Sequence, residues 1–409
     1  MFRAVQVSLG ERSYDILIGN GAVRAAAEYV VSRKTGGVVV VSDEIVWAAQ
    51  GKVLIDVLDR AEVDYSTYLI KPGEHSKSLS VLEQICEAFA QFDLRRDGLV
   101  IAFGGGVVGD LAGFAASVWM RGCDYIQIST TLLSQIDSGI GGKTAVNLKT
   151  GKNLVGSFYQ PQFVVADTGF LDTLPEREWR SGLAEMIKYG ALFSEELFLK
   201  LAVPVNKPDW VDKPVYTDEY IPVHDVARAD NPSMPTTEPE LKQSELAEMI
   251  ETCCKFKRDI VQEDELDGGK RRLLNFGHSF GHAIEQLGGF TKYNHGEAVA
   301  IGMLLAAALG EWSGFTQAGC MLKLREVLST QQLPVDCPYK ANELLPVIEK
   351  DKKFRDGGID LVLLREIGQA EVQWYSMEEL KSQLSGALIY LRNGGIDEAV
   401  IGIIITEDE

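Results

Sequence analysis

Only five histidines occur in the 409 residues, and three of them fall within eighteen positions: His278 and His282 in NFGHSFGHAIE, and His295 in YNHGEAVAIG. Positions four apart on a helix share a face. Imidazole nitrogen suits zinc, and a catalytic site takes about three protein ligands with one position left open. Clustered in this way, the histidines read as a site rather than as hydrogen-bonded core residues. A carboxylate would complete a His/His/acid set. Glu185 in GLAEMIKYG is a candidate, an acid on an otherwise small and apolar helical face, and by spacing alone Glu297 and Glu285 serve as well.

A second group follows the apolar run LVIAF. In GGGVVGD, Gly104, Gly106 and Gly109 match GxGxxG and lead into the helical run LAGFAASVW. That setting lets backbone amides at a helix N-terminus approach a pyrophosphate, although glycines also serve where a helix packs close to a sheet. Asp43, closing VVVVSD, suits an adenosine ribose or equally a helix N-cap. Cations recur in glycine- or asparagine-rich contexts: Arg121 in MRG, Lys143 in GGKTAVN and Lys152 in GKNLVG. Lys188 follows Glu185 by three residues on the same helical side, and Lys257 and Arg271 precede the histidines. Singly each reads as surface charge. Together they form the local basic cluster that an anionic substrate needs on a chain with 40 basic and 59 acidic residues and a net charge of -19. The same balance argues against a general nucleic-acid or anionic-membrane surface.

The elements that must position these groups change type along the chain. Up to about residue 170, β-branched runs at 38–43, 65–70, 99–103, 125–130 and 163–167 alternate with helical patterns, which implies a parallel sheet flanked by helices. After Pro175 come longer amphipathic stretches at 176–201, 240–263, 278–288, 296–313 and 317–329. The expected architecture is therefore α/β: a Rossmann-like, parallel-sheet nucleotide-binding domain over 1–174, then a mainly α-helical domain carrying the histidine cluster over 175–385. A proline-rich stretch at 203–239 interrupts the second part and reads as a surface insertion. The segment 386–409, with its Asn-Gly-Gly, reads as a C-terminal extension forming a β-hairpin. The apolar run from Leu99 to Met120 is broken by glycines and by Asp110, unlike a membrane span. Six cysteines without a CxxC pair suit reduced thiols and a cytoplasmic location.

The ordered segments KPGEHSKS, GGGVVGDLAGF, STTLLSQIDSGIGGKTAVN, GKNLVGSFYQP, DTGFLDTLPERE, GLAEMIKYG, LNFGHSFGHAIE and YNHGEAVAIGM make the chain resemble the 3-dehydroquinate synthase family, over about residues 1–370 apart from the insertion. The resemblance implies Glu185, His278 and His295 as metal ligands, for zinc or alternatively cobalt, and His282 as a substrate or proton-transfer residue. It implies NAD contacts at Asp43, Glu74, Lys77, Gly105, Gly106, Val107, Asp110, Thr130, Thr131, Asp137, Lys143, Lys152, Phe170 and Thr173. Substrate contacts carry over to Arg121, Asp137, Lys143, Lys152, Asn153, Lys188, Lys257, Arg271 and Asn275, and to Lys352 or Lys353. Lys152, Lys188, His282, Asn275 and Lys257 would take part in the chemistry. The chain departs from the family pattern in the insertion, in Gly139 and Ala145, which stand where serine and glycine are expected, and in its longer tail.

The implied reaction converts 3-deoxy-D-arabino-heptulosonate 7-phosphate to 3-dehydroquinate and phosphate, in the shikimate route to aromatic amino acids. A hydroxyl is oxidised by NAD, phosphate is eliminated, the hydride is returned, and ring opening and aldol closure follow, so no net redox change appears. The resemblance also implies a small-molecule phosphorylated sugar acid as partner and a homodimer. The nearest rivals are another sugar phosphate cyclase, of the aminodehydroquinate, inosose or valiolone type, and a metal-dependent polyol dehydrogenase. A non-catalytic binding protein on a decayed scaffold would not keep Glu185, His278, His282, His295 and Lys152 together.

Overall fold

The computed structural model describes residues 2–33, 36–207, 238–350 and 354–395. Two compact units are present: Met1–Trp179 with Lys207–Leu266, and Arg180–Asn206 with Asp267–Glu409.

The first unit is built on β1 (Arg3–Val7), β2 (Tyr14–Ile18), β3 (Val38–Asp43), β4 (Ser66–Ile70), β5 (Leu99–Gly104), β6 (Asp124–Ser129), the pair β7 (Lys143–Leu148) and β8 (Gly151–Phe158), and β9 (Phe163–Ala166). Seven of these form one sheet in the order β1-β2-β9-β6-β5-β3-β4, parallel throughout except for the β1–β2 pairing at one edge. The continuous apolar runs of β3 and β5 are explained by burial on both faces. Val38, Val40, Leu99, Ile101 and Phe103 pack on one side with the helices Arg24–Arg33 and Glu44–Arg60. Val39, Val41, Val100 and Ala102 pack on the other with Leu79–Gln91 and Gly106–Val118.

The helix Glu238–Glu263 belongs to this unit rather than to the helical one in which its amphipathic pattern was read. Glu251 bonds Arg3 of β1 at 2.5 Å, and the Cys254 thiol donates to the carbonyl of Gln135 at 3.3 Å. An amphipathic stripe states that a face is buried, but not against which element.

The second unit is mainly helical, with Glu195–Lys200, His278–Leu287, His295–Trp312, Cys320–Thr330, Ala341–Ile348 and Met377–Arg392, and most of Glu176–Phe193. A small antiparallel sheet, β10 (Phe354–Arg355), β11 (Gly358–Glu366) and β12 (Gln369–Ser376), completes it. Residues 386–392, expected as part of a hairpin, are helical. Ser376 and Glu379 form a capping box that starts this helix, and Leu380, Leu384, Ala387, Leu388 and Leu391 bury one stripe of it. The glycines that suggested a hairpin turn end the helix instead: Gly394 and Gly395 have positive φ, and Gly395 N–H donates to the carbonyl of Tyr390 at 2.9 Å. Residues 396–409, and most of the 203–239 insertion, lie outside the described residues.

Candidate active site

Three helices of the second unit bring Glu185, His278 and His295 together. His278 and His295 each occupy the first position of their helix, and Glu185 lies inside Glu176–Phe193. Glycines permit the approach. A Cβ at Gly302 would sit 2.1 Å from the carbonyl oxygen of Gly277, and one at Gly296 would sit 2.4 Å from Cα of Ser181. Gly296 N–H also donates to Oγ of Ser181 at 3.1 Å, tying the start of the His295 helix to the helix that carries Glu185.

Oε1 of Glu185 lies 3.7 Å from Nε2 of His278 and 3.6 Å from Nε2 of His295. Donor atoms in a tetrahedral shell with zinc bonds of ~2.0–2.1 Å stand about 3.3 Å apart; the two Glu185–histidine separations are a few tenths of an ångström longer than that, and all three donor atoms lie within 4.8 Å of one another. Glu185 is fully buried, yet among the described residues Oε1 accepts no hydrogen bond. Buried acceptors are nearly always satisfied, and a cation between carboxylate and imidazoles would satisfy this one. Burial works against a charge on His295, but the carboxylates of Glu185 and Glu285 outweigh it and raise its pKa to about 10. The residues present therefore fit a divalent metal.

The other carboxylate oxygen, Oε2, is paired with Nζ of Lys188, which is also fully buried and lies 5.2 Å from the centre of the Tyr189 ring. Of the alternative acids, Glu297 is taken up in a capping box: its carboxylate accepts from Asn294 N–H and its own N–H donates to Asn294 Oδ1, both at 2.9 Å. Glu285 faces the far side of His295. The His282 ring centre is 5.6 Å from that of His278 and 6.3 Å from that of His295, so it adjoins both. Arg271 is buried in the turn Lys270–Asn275, which ends three residues before His278.

The first unit carries the glycine turn. The chain passes from β3 outward to β4 and then back to β5 on the other side of β3. The carboxyl ends of β3 and β5 thus flank a topological switch point, where open α/β sheets bind ligands. Asp43 ends one strand and Gly104 the other. The helix Gly106–Val118 begins at Gly105 with no side chain capping it, leaving its first amides to an anion. A Cβ on Gly105 would meet Thr131 at 2.9 Å, and one on Gly109 would meet Gln127 of β6 at 2.7 Å. Gly109 thus serves close helix–sheet packing, and the turn at 104–106 stays narrow. This cradle fits a dinucleotide. Asp43 caps the helix Glu44–Arg60, with Oδ1 accepting from the amides of Ile45 and Val46 at 2.9 Å.

Two lysines of this unit are held by carboxylates. Lys77 bonds Asp110 at 2.5 Å and Asn153 Oδ1 at 2.6 Å, with Glu74 at 3.8 Å. Burial opposes its charge, but Asp110 and Glu74 outweigh the effect and raise its pKa. Lys257 donates to the carbonyl of Asp137 at 2.6 Å and is ion-paired with the same residue's carboxylate. Lys143, Lys152 and Asn153 lie on the β7–β8 pair, with Asn153 at φ 54. Arg121 is exposed, also with left-handed backbone at φ 69. Thr130 N–H donates to the carbonyl of Gly104 at 3.1 Å, Thr131 Oγ1 accepts from Ser134 N–H, and Thr173 Oγ1 accepts from Gln50. Phe170 is core, edge-on to Phe103 at 5.3 Å. Lys352 and Lys353 lie outside the described residues.

Sequence reasoning passed over Asn147, whose amide donates to Glu74 and accepts from Asn153 N–H, each at 2.8 Å. Its place at the end of GGKTAVN, next to a turn, was the available signal.

This fold is that of the sugar phosphate cyclases. The 2-epi-5-epi-valiolone synthase of Streptomyces hygroscopicus subsp. jinggangensis 5008, solved with NAD+ and Zn2+ bound, matches with a TM-score of 0.77 at 27% identity, covering 94% of this chain and 98% of that one. A 2-deoxy-scyllo-inosose synthase complexed with carbaglucose-6-phosphate, NAD+ and Co2+ matches with a TM-score of 0.76 at 22% identity, covering 94% and 99%. In sequence, residues 67–181 match the 3-dehydroquinate synthase N-terminal model and residues 225–354 the C-terminal one. The 3-dehydroquinate synthase of Clostridium botulinum (strain Alaska E43 / Type E3) is 38% identical over 377 residues, 92% of this chain and 99% of that protein. The chain belongs to the 3-dehydroquinate synthase family.

Proposed function

We propose that this protein converts 3-deoxy-D-arabino-heptulosonate 7-phosphate to 3-dehydroquinate and phosphate, using NAD and a resident zinc ion. The observation that carries the reading is the convergence of Glu185, His278 and His295 on one point, with Lys188 buried against Glu185, in a chain that matches this family over nine-tenths of its length. When bound, NAD supplies reversible hydride transfer and zinc supplies the positive charge that acidifies the sugar's hydroxyls.

The chain's own groups do the rest. Glu185, His278 and His295 hold the ion, and Lys188 compensates the buried carboxylate. His282 transfers a proton at its ring nitrogen beside the two ligand histidines. The Arg271 guanidinium grips the substrate carboxylate as a planar fork, seconded by Asn275. Lys152, Asn153 and Lys257 serve the phosphate and reacting oxygens, and Arg121, Asp137, Lys143 and Lys352 or Lys353 complete the substrate contacts. NAD lies along the glycine turn, on Gly105, Gly106 and Val107, with Asp43 at the ribose and Glu74, Lys77, Asp110, Thr130, Thr131, Phe170 and Thr173 around it.

The reading includes a cytoplasmic setting, supported by six free cysteines. It also includes a homodimer, which rests on the family resemblance alone. No helix among the described residues is long and apolar enough to cross a membrane.

Phosphate release from the heptulosonate, from glucose 6-phosphate and from sedoheptulose 7-phosphate, with NADH absorbance followed in parallel, tests the proposal. The sugar acid should be consumed with only trace NAD and no NADH accumulation. Preference for a sugar lacking the carboxylate would assign a different cyclase, and stoichiometric NADH a polyol dehydrogenase.

A further inference from the structure

Each ligand histidine has a second ring nitrogen, and the two are backed differently. Nδ1 of His278 lies 3.1 Å from the carbonyl oxygen of Phe276. A carbonyl only accepts, so Nδ1 carries the proton and Nε2 is left with the lone pair that faces Glu185. Nδ1 of His295 faces a carboxylate instead, with Oε2 of Glu285 at 3.7 Å. Glu285 is buried, on the helix His278–Leu287 one turn beyond His282. It is therefore no solvated helix charge, and no step of the reaction proposed above uses it.

From this arrangement we infer that Glu285 is a positioning residue for the metal: with the ion bound it accepts a hydrogen bond from Nδ1–H of His295, turns Nε2 toward Glu185 and His278, and strengthens that nitrogen as a donor. Ligand imidazoles held from behind by a carboxylate bind metal more tightly and in a fixed orientation. The competing arrangement uses Glu285 itself as a ligand, since His282, Glu285 and His295 also present atoms within 4.8 Å of one another. That arrangement consumes Nδ1 of His295 and leaves Oε1 of Glu185 buried with no cation to satisfy it. The observed geometry favours Glu285 in the supporting position. The inference rests on the ion being held by Glu185, His278 and His295.

The test is a zinc titration of metal-stripped full-length protein against a chromophoric chelator, for wild type, Glu285→Ala, Glu285→Gln, His282→Ala and Glu185→Ala. Visible spectra of the cobalt-loaded forms and melting curves of the metal-free forms accompany it. Glu285→Ala should bind zinc about 10- to 100-fold more weakly. Glu285→Gln should fall between, because its amide oxygen still accepts a hydrogen bond from Nδ1–H but carries no charge. Both should shift the cobalt spectrum. His282→Ala should keep wild-type zinc affinity, and Glu185→Ala should lose the ion. Glu285→Gln decides the matter should the alanine variant fail to fold, provided its metal-free form melts as wild type does. Wild-type zinc affinity and an unchanged cobalt spectrum in Glu285→Gln, with Glu185→Ala empty, would overturn this inference alone. Zinc retained by Glu185→Ala but lost equally from Glu285→Ala and His282→Ala would overturn it together with the ligand set on which it rests.

Discussion

In the α/β unit the buried lysines meet carboxylates that still reach water: the side chain of Asp110 is 18% exposed and that of Asp137 17%. In the helical unit Glu185 and Lys188 meet with neither side chain exposed. The difference follows from what each unit is suited to hold. A dinucleotide is long and is gripped by many contacts, among them backbone amides at a helix start, so groups on turns with some residual water suffice. A metal ion needs a few donor atoms placed to within a few tenths of an ångström, and side chains on packed helices provide that better than loops do. The helical site accepts the desolvation of a charged pair in return for fixed geometry.

The comparison is most exposed at the two ion pairs. Glu185→Ala removes the carboxylate that is paired with the buried Lys188, so denaturant unfolding of the metal-free protein should show a loss of about 3–5 kcal/mol, and bound zinc and phosphate release should disappear. Lys77→Met, which leaves a partly hydrated Asp110, should cost nearer to 2 kcal/mol. Equal losses would show that the two units do not differ in how they hold charge.

Glycine substitutions sharpen the contrast at the next level. Gly302→Ala places a Cβ 2.1 Å from the carbonyl of Gly277 and 2.8 Å from the nitrogen of Gly281, and backbone cannot yield without parting the two helices. A stability loss of about 1–3 kcal/mol should accompany weaker zinc binding in the chelator titration. Gly105→Ala meets the Thr131 methyl at 2.9 Å, a side chain that can turn aside. It should melt closer to wild type and weaken NAD in a calorimetric titration. If Gly302→Ala binds zinc normally, the helix approach does not set the ligand geometry.

The smallest effect is expected at Asp43, where a capping role and a ribose role can be separated. Asp43→Ala removes an N-cap and should cost about 1 kcal/mol, whereas Asp43→Asn keeps the cap and should cost only a few tenths. The asparagine variant should nevertheless bind NAD more weakly, because it loses the charged acceptor. Unchanged NAD affinity in both variants would leave Asp43 as a cap alone.

Much of this was legible in the sequence, for physical reasons that differ by element. The strands of the parallel sheet announce themselves because burial on both faces demands unbroken β-branched runs, as in VVVVSD and LVIAF. The helix His278–Leu287 shows a one-sided apolar pattern, whereas His295–Trp312, read as amphipathic, is buried on all sides from Ala298 to Gly310, and the scarcity of histidine makes three in eighteen residues conspicuous. The tail was misread because Asn-Gly-Gly suits a hairpin turn and a helix end alike, and only the buried stripe running on from Leu380 to Leu391 separates the two. The β7–β8 pair was missed because its strands have few of the apolar alternations that mark a half-buried strand.

The acids around the histidines show where spacing along the sequence stops. It determined that His278, His282 and His295 lie close together, that an acid must join them, and that Glu185, Glu285 and Glu297 all qualify by type and spacing. Spacing alone leaves the three acids equal, and the tertiary structure gives them different surroundings, because each depends on a partner distant in the chain or on the direction of a side chain. Glu297 turns back to cap its own helix, Glu285 stands behind His295, and Glu185, more than ninety positions before His278, arrives on a separate helix because glycines at 277, 296 and 302 remove the side chains that would hold the helices apart. Spacing along one helix fixes which residues share a face. The distance between faces of different helices is set by packing, and a metal ion responds to that distance.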